Sequence, residues 1–154
     1  MEWHANNAEN TAENIAIGGD HGGFELKERL KTVLADVGCA VTDVGCHSLD
    51  SVDYPDIAQA LLQILASGQC RRGILVCGTG IGMSIAANRD RRFRAALCHD
   101  EYTARMSREH NNADILCLGA RVLGLGVAEG IVRTWLTATF AGGRHQRRID
   151  KMGV

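Results

Sequence analysis

Short apolar runs alternate along this chain with longer stretches whose apolar residues recur every three or four places. Ile15-Ala16-Ile17, Ala40 to Val44, Gly73 to Val76, Arg94 to Cys98 and Ile115 to Leu118 have the length and composition of strands. Phe24 to Val37 places Leu26, Leu30, Val33, Leu34 and Val37 near helical spacing, and Gly38 follows as a stop signal. After a loop over Gly45 to Asp53, Tyr54-Pro55-Asp56 opens a second helix that runs to Ala66. Pro55 suits its first turn, and Ser67-Gly68 ends it. A glycine-rich turn behind Val76 leads into Ile85-Ala86-Ala87-Asn88, which reads as helix. Glu101 to His110 predicts a polar-faced helix and Leu125 to Phe140 a long amphipathic one. Gly142-Gly143 breaks the latter, and the basic tail Arg144 to Lys151 resumes as a short helix.

Five short strands separated by helices predict an α/β protein with a parallel sheet covered on both faces. Right-handed crossovers then give a doubly wound, Rossmann-like three-layer sandwich. Ligands in that architecture bind at the carboxyl ends of the strands. Those ends carry Asp20 and His21, Cys77 to Gly82, His99 and Asp100, and Gly119 to Arg121. Nothing repeats internally, so one domain over residues 15–154 is expected. The polar stretch Met1 to Asn14 reads as a mobile extension or a remnant of cloning.

Composition narrows the function classes. The 154 residues suffice for one domain with a real core, and the net charge of −1 gives no electrostatic case for nucleic acid or a membrane surface. No apolar run spans a bilayer, and the N-terminus lacks a secretory signal, so a cytoplasmic protein is expected. The six cysteines, Cys39, Cys46, Cys70, Cys77, Cys98 and Cys117, form no C-x-x-C pair. Reduced thiols therefore fit better than zinc ligation or a disulfide framework.

The densest chemical signal is Cys77-Gly78-Thr79-Gly80-Ile81-Gly82-Met83-Ser84, a cysteine at a strand end followed by three glycines in five positions. Such a turn exposes backbone N–H groups at the positive end of a helix, where an anion can sit and where thiolate is favoured over thiol. Alternate glycines let a ligand approach the backbone. The spacing is G-x-G-x-G rather than the dinucleotide G-x-G-x-x-G, although Asp100 lies near where a ribose-binding acid would fall. Asp20 and His21 stand between two glycine pairs after the first strand, which suits ligand contact. His110-Asn111-Asn112 suits a helix C-cap and a functional role alike. Arg144 and Arg148 are four apart and share a helix face able to grip phosphate, and Arg121 could join them. The cluster Arg89, Arg91, Arg92 and Arg94 reads as a solvated loop.

Taken in order, Gly19-Asp20-His21-Gly22-Gly23-Phe24, Asp53-Tyr54-Pro55, Cys77 through Asn88, His110-Asn111-Asn112, Gly119-Ala120-Arg121-Val122 and Gly142 to Arg148 resemble ribose-5-phosphate isomerase type B. The wider family includes the galactose-6-phosphate isomerase subunits. The resemblance implies interconversion of D-ribose 5-phosphate and D-ribulose 5-phosphate without metal or organic cofactor. It implies that Cys77 is the base and that His110 opens the furanose ring. By the same resemblance Gly78, Thr79, Gly80, Ile81 and Gly82 form the anion hole for an enediolate. Asp20, His21, Tyr54, Asn111, Arg121, Arg144 and Arg148 become substrate or phosphate contacts. It further implies homodimers or tetramers of dimers with each site shared between subunits. Three alternatives stay open: an isomerase of a six-carbon sugar phosphate such as allose or galactose 6-phosphate, a nucleotide-binding module without catalysis, and an inactive subunit of a hetero-oligomer.

Overall fold

The computed structural model describes residues 12–153. Its elements are β1 (Asn14–Gly19), α1 (Phe24–Asp36), β2 (Ala40–Asp43), α2 (Tyr54–Ala66), β3 (Arg72–Cys77), α3 (Ile81–Ala87), β4 (Ala95–Leu97), α4 (Glu101–Glu109), β5 (Ile115–Gly119), α5 (Leu125–Thr137) and α6 (Arg144–Lys151). The five strands form one sheet in the order β2-β1-β3-β5-β4, with every neighbouring pair parallel. This is the Rossmann-like α/β arrangement expected.

Period-two alternation sorts the strand side chains into two apolar layers. Ile15, Ile17, Ile74, Val76, Leu116 and Leu118 face α1, α4 and α5, and pack with Leu30, Leu34, Ala104, Ile131 and Trp135. Ala16, Leu75, Cys77, Ile115 and Cys117 face the other way, onto Leu61, Leu62 and Leu65 of α2 and Met83 and Ala87 of α3. All six cysteines are free thiols.

Several boundaries differ from those the sequence predicts. β1, β3 and β5 continue into Gly19, Cys77 and Gly119 because the parallel ladder goes on pairing there whatever the side chain. β1 also starts one residue early, at Asn14, and Glu13 forms an ion pair with Arg72. The expected extension therefore ends before Glu13, and Met1 to Thr11 lie outside the described residues. The hydrogen bond from Arg72 holds the Glu13 carboxyl below its ordinary value. α5 stops at Thr137 rather than Phe140. Its terminal carbonyls at Trp135 and Leu136 are taken by the Arg72 guanidinium, at 3.1 and 3.2 Å.

Candidate active site

The connections leave β1 and β3 in opposite directions, one toward β2 and the other toward β5 and β4, so a crevice forms at their carboxyl ends. Gly19 pairs with Val76, and the Asp20 N–H donates to the Val76 carbonyl at 3.2 Å, which brings Asp20 beside Cys77. Asp20 is buried, and its Oδ1 accepts from the Gly23 N–H at 3.0 Å. This close turn leaves no room for a side chain at Gly23, where a Cβ would lie 2.2 Å from the Val76 oxygen. His21 Nδ1 accepts from the Val52 N–H at 3.3 Å, so in the neutral ring Nε2 carries the proton as a donor.

Cys77 is 5% exposed and part of the apolar layer under α2 and α3. The Gly80 N–H donates to its Sγ at 3.1 Å. Gly80 caps α3 with φ 77°, a left-handed conformation natural to glycine. Thr79 Oγ1 accepts from the Ile81 N–H at 3.2 Å. The Tyr54 ring at the head of α2 lies against Gly82, where a Cβ would sit 2.7 Å from it. Arg121 follows β5 and bonds its N–H to the Gly78 carbonyl at 2.9 Å. Its guanidinium spans the space over Gly78 and Gly22 and has no carboxylate partner among the described residues. Asp20, His21, Tyr54, Cys77, the glycine turn and Arg121 thus meet at one end of the sheet.

The remaining predicted residues do not join them. α4 starts after β4 and runs back toward the amino ends of the strands, a return of about 13 Å at 1.5 Å per residue. His110 is its C-cap and Asn112 takes the left-handed conformation, φ 45°, in keeping with the capping role expected there. Arg94, before β4, donates to the carbonyls of Asn111 and Asn112 at 2.9 and 3.1 Å. Arg94 is therefore a half-buried strut under the His110 turn and not part of a solvated loop, whereas Arg92 pairs with Asp90 in solvent as expected. The Ala141 N–H donates to the Glu109 carbonyl at 3.0 Å and draws α6 alongside. There His145 stacks on His110 with centroids 4.1 Å apart and an 11° interplanar angle. Arg144 and Arg148 are exposed on the same helix. His110, Asn111, Arg144 and Arg148 therefore lie at the end of the sheet opposite Cys77, and within one chain no proton can pass between Cys77 and His110.

The sequence pattern does not single out His145 or Arg94 for these places. The spacing of His145 to Ile149, i and i+4 on an otherwise charged helix, is the one signal that marks His145 as inward-facing. Asp100 also has a different task from a ribose contact. It caps α4, accepting from the Thr103 N–H at 2.6 Å and the Thr103 hydroxyl at 2.8 Å. Among the described residues no group of His, Cys, Asp and Glu gathers to hold a metal ion, and no helix is long and apolar enough to cross a membrane.

Comparison with known proteins agrees with this geometry. The Ribose/Galactose Isomerase family model matches residues 15–152. The chain is 44% identical over 138 residues to ribose-5-phosphate isomerase B of Escherichia coli, covering 90% of this chain and 93% of that one. It is 43% identical over 144 residues to D-erythrulose-4-phosphate isomerase of Pectobacterium atrosepticum, covering 91% and 93%. The solved structure of Clostridium thermocellum ribose-5-phosphate isomerase B superposes with a TM-score of 0.89 at 53% identity, covering 91% of this chain and 95% of that one. A family model that matches nearly all of residues 12–153, with these relatives at 43–53% identity over most of the chain, shows that the chain belongs to the ribose/galactose isomerase family of sugar-phosphate isomerases.

Proposed function

We propose that this protein interconverts D-ribose 5-phosphate and D-ribulose 5-phosphate, in sites each assembled from two copies of the chain. The observation that carries this reading is the meeting of Cys77, Asp20, His21 and Arg121 around the glycine turn, with the complementary imidazole and arginines at the far end of the same sheet. A two-fold pair sets the opposite ends of its two chains against each other and makes two equivalent sites. Ile81 and Ile85, four apart on α3 beside the turn, are 52% and 61% exposed and offer an apolar surface for that contact.

The chemistry follows from the groups available. His110 of one copy takes the proton of the anomeric hydroxyl and passes it to the ring oxygen as the C1–O4 bond breaks, which opens the furanose. Cys77 of the other copy removes the proton on C2. The double bond forms between C1 and C2, and negative charge grows on O1. The N–H groups of the Gly78–Gly82 turn stabilise that oxygen, a contribution of roughly 3–4 kcal/mol per donor in comparable sites. The hydroxyl proton moves from O2 to O1 and Cys77 returns its proton to C1, so atoms balance without an external oxidant. Arg121, Arg144 and Arg148 hold the phosphate and use remote binding to orient the sugar.

The test is an isomerase assay with EDTA on ribose 5-phosphate, allose 6-phosphate, galactose 6-phosphate and erythrulose 4-phosphate. Ribose 5-phosphate is expected to give the highest kcat/KM, unchanged by EDTA. The likeness to the Pectobacterium enzyme supports a second reading, preference for a different chain length, and a higher kcat/KM on a four- or six-carbon substrate would establish it instead. Thermal stabilisation by NAD or ATP but not by pentose phosphates would favour the nucleotide module.

A further inference from the structure

We propose that His145 is the positioning residue for His110, a fixed flat platform that holds the His110 ring in one orientation. The inference rests on the ring-opening role given to His110 above and extends it to a residue with no assigned part. His145 is 8% exposed, while Arg144, Gln146, Arg147 and Arg148 around it are exposed. It and Ile149 are the buried residues of α6, so the helix is docked through this imidazole. The connection is pinned from the other side as well. The Ala141 N–H binds the last turn of α4, and Gly142 and Gly143, at φ 65° and 56°, reverse the chain so that α6 returns over His110. Arg94 fixes the backbone on the far side of the His110 turn. Both rings are thus held from their own backbones and meet nearly parallel at 4.1 Å.

Two consequences follow. A C-cap histidine at a helix end has several staggered rotamers open to it, and a stacked partner selects one. The stack also covers one face of the His110 ring, so a substrate meets only its edge and its opposite face. The groups acting on His145 are His110 across the α4–α6 contact and Arg144 and Arg148 on its own helix. All of these are cationic or can become so. Burial first, and then these groups, hold the His145 imidazole below the usual histidine range. The neutral form of His145 is therefore the favoured one under His110.

The experiment compares His145→Phe, His145→Ala and Ile149→Ala in the full-length protein, with His110→Ala as reference. His145→Phe keeps a flat ring and loses the titrating group. Ile149→Ala loosens α6 without touching the stack. Readouts are kcat on ribose 5-phosphate across pH, exchange of the C1 proton of ribulose 5-phosphate with solvent, and His110–His145 ring contacts by NMR. His145→Ala is expected to lower kcat on the aldose by about 10²-fold while sparing C1 exchange, as His110→Ala should. His145→Phe is expected to stay within about threefold of the parent at its pH optimum, because it keeps the flat platform. Three outcomes overturn the proposal: equal loss in His145→Phe and His145→Ala, unchanged aldose turnover in His145→Ala, or equal loss in Ile149→Ala. If His110→Ala itself turns over ribose 5-phosphate normally, the ring-opening reading fails instead, and ring-to-ring contacts in the parent's NMR spectrum would still record the stack.

Discussion

Cys77 owes its position to backbone rather than to other side chains. The ladder from β3 to β5 carries it to the strand end, the Gly80 N–H fixes its sulfur, and Asp20 arrives because β1 pairs one register step away. Replacing it with alanine takes only the sulfur out of the apolar layer and removes no charge partner, so the fold should survive. Cys77→Ala is expected to abolish isomerisation and leave phosphate affinity within about threefold, read by calorimetry with inorganic phosphate. Gly119→Ala tests the turn from behind. Its Cβ would meet the Thr79 carbonyl oxygen at 2.6 Å, so the Thr79 peptide must move. We expect kcat to fall by about 10²-fold and the melting temperature to drop, because both the loop and the β5 end are strained. Much of this detail is legible in the sequence. A cysteine followed by three closely spaced glycines marks a tight strand-to-helix turn by its local pattern alone, whereas Arg94 looks like one more surface arginine until its partners prove to be carbonyls of the His110 turn.

Helices and strands follow the sequence pattern nearly throughout, with departures where one element meets another. Val37 has the spacing of a core residue on α1, yet it is the C-cap and 41% exposed. Lys27, which apolar spacing alone passes over, is wholly buried and bonds both oxygens of Asp43 on β2, at 2.8 and 2.7 Å. Asp43 also accepts from the Gly45 N–H at 2.9 Å, which ties the pair to the loop that runs on to Val52 and His21. Burial raises the Asp43 carboxyl, but the hydrogen bonds of Lys27, Lys31 and Gly45 outweigh it and hold the group below 3.8. A depressed folded value stabilises the native state fully above about pH 4, and that contribution is lost as pH falls through the folded value. Asp43→Asn should therefore melt lower than the parent at neutral pH, with the gap closing as pH falls below about 4 and through the folded value. Removing one partner of a buried pair costs roughly 3–5 kcal/mol, which sets the size of the neutral-pH effect. A gap that persists at the acid end would show that the pair contributes through packing alone.

Seen as a single chain, the protein carries its two sets of candidate residues at opposite ends of one sheet. Parallel topology enforces this, because every helix that follows a strand must return to the end where the strand began. His110 ends such a return and Cys77 precedes one, so no repacking within one copy brings them together. Under the two-copy reading, Cys77→Ala and His110→Ala are each inactive alone. Co-expressed, they should recover about a quarter of parental activity. Half of the dimers are mixed, and each mixed dimer has one intact site of two. Turnover measured on purified mixed dimers checks this. No recovery would place both residues in sites that do not communicate.

What the linear order of residues could decide was everything local: strand and helix periods, the glycine turn behind Cys77, the cap at His110-Asn111-Asn112, and the arginine spacing on α6. Each depends on neighbours within a few positions, so each leaves a readable trace. The stack of His145 on His110, the strut from Arg94, the burial of Lys27 against Asp43 and the separation of the catalytic candidates to two ends depend on contacts between distant segments. Strand order and helix direction set those contacts, and no run of residues encodes them alone. Only the folded chain, with β3 at its centre and α4 running back from it, decides which groups can meet.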